Sequence, residues 1–147
     1  MSDSKFRWLL VLYVVVTLAA MGAAFVPGGY SQELADAFAQ EPESWFFRHI
    51  WLALAVALPL LAAIIAGVAG LFFFKRWGRT VSLYATILSL VLYVFSGPEI
   101  YSAWESALFE VSSLLWGAIL ALAYYSPIAS RLGVSNSFKP KPLRGSA

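Results

Sequence analysis

The chain has 147 residues, of which 61% are hydrophobic, 16% aromatic and only 12% charged, with no Cys and a single His; a soluble domain is about 25% charged. Without Cys there is no disulfide, thiolate metal site, iron–sulfur cluster or thiol nucleophile, and one His supplies neither a bis-histidine haem nor a histidine-rich metal centre. No cofactor is expected, an enzyme is the least supported class, and a net charge of +2 spread over so apolar a chain gives no reason to expect nucleic acid.

The first apolar run is Trp8 to Val26, free of charge, and it stops at Pro27-Gly28-Gly29, a turn signal. Lys5 and Arg7 ahead of it, with Gly22-Ala23-Ala24 near its end, also match a signal peptide that would leave a mature N-terminus at Phe25. The run is longer than a usual signal core, so a first membrane span is the expectation. In the loop that follows, Ser31 is placed to cap a short helix over residues 32–40, in which Leu34 and Phe38 share a face and Glu33 suits the N-terminus. Such a helix is expected to lie on the membrane surface. Beyond Pro42, Trp45, Phe46, Phe47 and Trp51 form an aromatic girdle that reads as interfacial anchoring rather than a ligand cage.

The second run, Ile50 to Phe74, is about 37 Å long as a helix and spans with tilt. Pro59 inside it predicts a bend. Lys75-Arg76-Trp77-Gly78-Arg79 then reads as a tight basic hairpin in which Gly78 supplies the turn. Lys75, Arg76 and Arg79 are placed to meet anionic phospholipid, although fixing the topology accounts for them almost fully. The third run, Thr80 to Phe95, is about 24 Å long and needs its flanking residues to complete a crossing. After Ser96-Gly97, Pro98 and Glu99 predict a new helix start. Its apolar face of Ile100, Tyr101, Trp104, Ala107 and Leu108 either lies flat as a second outer helix or joins the fourth run, Ser106 to Tyr125. The fold class is therefore an all-α integral membrane four-helix bundle, with short amphipathic helices in the two outer loops and spans near 8–26, 50–74, 78–96 and 106–125. Residues 1–132 form one transmembrane domain, and 133–147 read as a flexible basic tail.

The charges sort by side. All ten Lys and Arg except Arg48 fall in the N-terminus, the second loop or the tail, and all eight acids except Asp3 fall in or beside the first and third loops. Basic loops stay in the cytoplasm during insertion, so both termini are expected there, with the acidic loops outside.

Within lipid, helices associate through small residues and polar contacts, so such stripes predict inward faces. Ser82, Thr86, Ser89 and Tyr93 share one face of the third span, and Ser106, Glu110, Ser113, Gly117 and Ala121 one face of the fourth. Ala19/Ala23, Ala20/Ala24 and Ala62/Ala66/Gly70 offer close approach in the other two. Ser82, Thr86, Ser89, Tyr93, Glu110 and Ser113 are the candidate polar intramembrane face. The simplest account is that the hydroxyls bond to backbone and to one another; a hydrated path or pocket is the functional account. Glu110 is the sharpest residue, because an ionised acid in the bilayer is costly unless hydrated, near the interface or paired. It either reaches the outer surface, pairs with Arg48 or His49, or carries a proton or cation. His49 also offers a sensor of external acidity, beside the simpler reading of an interfacial side chain.

With its Arg76-Trp77-Gly78-Arg79 hairpin, the arrangement resembles small four-span proteins of the bacterial inner membrane, which implies that location. It is unlike the small multidrug exporters, which carry an acid in the first span, and unlike the four-helix thiol oxidases, which need Cys. The leading expectation is a noncatalytic structural, accessory or assembly subunit that binds a membrane-protein partner or itself. The second is a small channel or transporter, homo-oligomeric in one form, that uses the polar faces of spans three and four; a protein that blocks a toxin or pore through its acidic loops is a third.

Overall fold

The computed structural model describes residues 2–26, 29, 31–42 and 44–132; the tail expected over 133–147 and the turn at Pro27 and Gly28 lie outside them. The chain is all-α. Its helices are α1 Asp3–Ala23, α2 Gln32–Ala39, α3 Trp45–Arg48, α4 Ile50–Phe72, α5 Arg76–Ser96, α6 Ala103–Tyr125 and α7 Ile128–Arg131. Four of them, α1, α4, α5 and α6, are long and apolar enough to cross a membrane.

Local capping sets the helix ends, and several differ from where the apolar runs stop. Ser2 caps α1 by accepting from the Lys5 N–H at 3.4 Å, so the helix starts a turn before the apolar run. Ser31 caps α2 as its sequence suggests, accepting from the Leu34 N–H at 3.3 Å. The helix expected from Pro98 does not form, and residues 97–102 carry no helix. Instead Ser102 and Glu105 make a reciprocal capping box, each side chain accepting the other's backbone N–H at 3.2 Å. That box starts α6 at Ala103, so there is no second short helix in this loop.

The α4–α5 turn also departs from expectation. Gly78 lies inside α5 and takes no part in reversing the chain. Phe74 does that, at φ 53°, in a Schellman arrangement: the Lys75 N–H donates to the Gly70 carbonyl at 2.7 Å and the Phe74 N–H to the Leu71 carbonyl at 3.1 Å. Lys75 is at once the last residue of this motif and the N-cap of α5. Gly78 is needed for proximity. A Cβ there would overlap the Gly70 backbone, and one on Gly67 would stand 2.5 Å from Ser82 Oγ. Through Gly67, Gly70, Gly78 and Ser82 the two backbones touch, so Gly70 of the Ala62/Ala66/Gly70 ladder takes part in the close approach, while Ala62 is exposed. α4 continues through Pro59 without interruption from Ile50 to Phe72.

The bundle is two antiparallel pairs, α4 with α5 and α1 with α6, which meet each other only lightly. The α1–α6 pair is held by side chains: Thr17 and Ser112 hydroxyls at 2.6 Å, and Tyr13 stacked on Trp116 with ring centroids 4.7 Å apart. The tightest core sits at the end carrying Arg7, Lys75 and Arg79, where Phe6, Leu10, Leu71, Ile119, Ala123, Ile128 and Leu132 are at most 1% exposed. We call this the basic end. At the opposite, acidic end α2 has no buried residue.

Candidate functional site

Two polar stripes with the same helical spacing meet different fates. On α5 the stripe turns inward. Ser82 is 1% exposed, and Thr86 and Ser89 are partly covered. Thr86 Oγ1 donates to the Ser82 carbonyl and Ser89 Oγ to the Ala85 carbonyl, both at 2.8 Å, which satisfies each hydroxyl within its own helix. Thr86 Oγ1 also accepts from Trp116 Nε1 at 2.7 Å, a polar contact that ties α5 to α6. Ser82, Thr86, Ser89, Tyr13, Ile64 and Trp116 line a cavity of about 190 Å³ where the two pairs face each other. Ser82 Oγ is buried there with no hydrogen-bond partner among the described residues. Tyr93, the last member of the stripe, is 57% exposed and does not join it.

On α6 the stripe turns outward. Ser106, Glu110, Ser113, Gly117 and Ala121 are all exposed among the described residues, and a Cβ on Gly117 would meet nothing within 4 Å. The inward face of α6 is instead Glu105, Ser112, Ile119 and Ala123. Ser112, not Ser113, finds the Thr17 hydroxyl, and with the Tyr13–Trp116 stack this fixes the rotation of the helix. Glu110 makes no hydrogen bond or ion pair with a described residue, Arg48 and His49 included. It stands seven residues from Ala103, about 10 Å along the axis.

Arg48 ends α3 and His49 is the N-cap residue of α4, both exposed at the acidic end. Nearby, Phe38, Glu41, Ser44, Ser96, Pro98 and Glu99 line a cleft of about 480 Å³, and the Tyr101 hydroxyl donates to Glu99 Oε2.

At the basic end Lys75 and Arg76 are exposed, but Arg79 folds inward with its guanidinium carbon 5.0 Å from the centre of the Tyr124 ring. The Tyr124 hydroxyl donates to the Arg79 carbonyl at 3.4 Å, and Arg79 Nε and Nη1 are buried without a hydrogen-bond partner among the described residues. Arg7 lies over both Phe72 and Phe74, 5.3 Å from each ring centre.

Sequence reasoning passed over Tyr13, Thr17, Ser112 and Trp116, which organise the centre of the bundle. A signal existed only for α6's start, in the Ser102-x-x-Glu105 spacing. The chain matches no family model, no curated protein and no solved structure among those compared.

Proposed function

We propose that the chain is a multi-pass protein of the bacterial inner (plasma) membrane with both termini in the cytoplasm, and that it serves as a noncatalytic accessory or assembly subunit. A helix of another membrane protein docks on the uncovered face of α6. The sorting of bases to one end and acids to the other supports the orientation. Lys75 and Arg76, exposed at the basic end, then face anionic phospholipid of the cytoplasmic leaflet.

The observation that carries the docking reading is Glu110. It stands on a helix long enough to span, about 10 Å from its outer end, beside Ser113 and Gly117 on a face that no described residue covers. A carboxyl at that depth is costly in lipid unless another group meets it, and small neighbours permit a second backbone to come close. A partner helix bearing a hydrogen-bond donor or a cation at that level answers both conditions. The test is photo-crosslinking from position 114, exposed one turn before Gly117, in the native membrane, followed by purification in mild detergent. The expected product is one stoichiometric foreign membrane protein, lost in Gly117→Leu and weakened in Glu110→Leu. A product containing only this chain, or none, overturns the reading.

A second reading, a small channel or transporter, draws on the cavity lined by Ser82, Thr86 and Ser89. Against it, the Thr86 and Ser89 hydroxyls already donate to backbone carbonyls of α5. Ion flux through proteoliposomes of the purified chain, reduced by Ser82→Ala, which removes the hydroxyl without crowding Gly67, would favour it.

A further inference from the structure

Between α1 and α4, the two long helices that barely touch, runs an open groove of about 680 Å³. Its walls are Leu10, Val14 and Leu18 from α1 and Leu61, Ile65 and Phe72 from α4, among others, and they are almost wholly apolar. On α1 the lining extends from Leu10 to Met21, about 17 Å of helix, and on α4 from Leu61 to Phe73, about 18 Å. The half of α4 nearer the acidic end, Ile50 to Leu60, takes no part. The groove is therefore close to one leaflet deep, since the whole hydrocarbon core is about 30 Å. A membrane helix laid into it would find facing surface over only about half its length.

Arg7 stands at the mouth. It is exposed, one turn ahead of Leu10 and Val11, and its guanidinium rests on Phe72, itself a wall of the groove, and on Phe74. No ion pair links it to a described carboxylate. A cation fixed in position over two rings at the open end of an apolar trough matches an amphiphile with an anionic head and a chain one leaflet long.

We propose that the α1–α4 groove is a binding site for an anionic phospholipid of the cytoplasmic leaflet, its acyl chain along Val14, Leu18 and Ile65 and its phosphate on Arg7. This rests on the membrane orientation above but not on the α6 docking face. Bridging α1 to α4, the lipid joins the two helix pairs where protein contacts alone are few.

The test uses the full chain extracted from membranes. Native mass spectrometry with added phosphatidylglycerol or phosphatidylethanolamine should show one phosphatidylglycerol retained per chain. Arg7→Gln should cut the preference for phosphatidylglycerol about tenfold, whereas Ile65→Trp, which fills the trough, should abolish retention of both lipids. As a measurement that needs no variant, phosphatidylglycerol carrying a photoreactive acyl chain should label peptides covering residues 10–21 and 61–73. Equal labelling of the outer faces of α5 and α6, an unchanged lipid preference in Arg7→Gln, or crosslinks that place a second copy or a foreign helix in the groove would each overturn the assignment. Absence of the chain from the membrane fraction would instead refute the membrane reading itself.

Discussion

The polar stripes of α5 and α6 repeat at the same spacing, yet one is enclosed by the chain and the other is left bare. The difference is in neighbours rather than composition. Ser82 packs against Gly67, and Thr86 receives Trp116, so the α5 stripe is consumed in closing the α4–α5 pair and in tying it to α6. Glu110, Ser113 and Gly117 are exposed, with no such neighbour among the described residues. Periodicity identifies which residues share a face, but the direction of that face is decided by contacts from elsewhere in the chain. A bare polar stripe on a spanning helix therefore invites an external contact, whereas an enclosed one serves the fold.

Substitutions can break this contrast, and the largest effect is expected at the enclosed stripe. Ser82→Leu puts three carbons in place of one oxygen beside Gly67, where the backbones already touch, and should lower stability by about 2–3 kcal/mol in thermal unfolding followed by circular dichroism in detergent. Gly117→Leu, the matching insertion on the bare stripe, should leave the melting curve of the purified chain unchanged while eliminating crosslinks to a partner. If both variants melt alike, the contrast is wrong. A smaller loss, about 1 kcal/mol, is expected for Trp116→Phe, which keeps the ring on Tyr13 but removes the donor to Thr86. Thr17→Val should cost about 0.6 kcal/mol, the average for one polar contact between membrane helices. Glu110→Gln should change the stability of the isolated chain by less than about 0.5 kcal/mol, as surface substitutions do, and its effect should emerge only in the amount of partner recovered.

The four long helices were legible because uninterrupted apolar runs of that length have few other uses, and capping by Ser31 was legible because the motif is local. What escaped the sequence was set by distant or disfavoured choices. Ser112 and Ser113 are adjacent and point about 100° apart, and the one that faces inward depends on Thr17, 95 residues away. The turn residue was misjudged because Phe is an unfavourable occupant of positive φ where Gly is the common one. Phe74 serves there because its ring packs beside Phe6, 5.8 Å between centroids, and under Arg7, contacts that glycine cannot make. Arg79 looked like a third exposed cation of the hairpin, and only the position of Tyr124 at the end of α6 shows why it folds inward.

The pairing of α1 with α6 has a consequence for biogenesis. α4 and α5 are joined by a turn of a few residues and can zip together as soon as both have left the ribosome, whereas α1 emerges first and its mate last. On the membrane reading proposed above, α1 waits in the bilayer with its Thr17 and Tyr13 side unmatched until α6 is delivered. A nascent chain truncated before Ala103 should therefore hold a protease-resistant central hairpin beside a solitary first helix, a state open to capture by insertion chaperones.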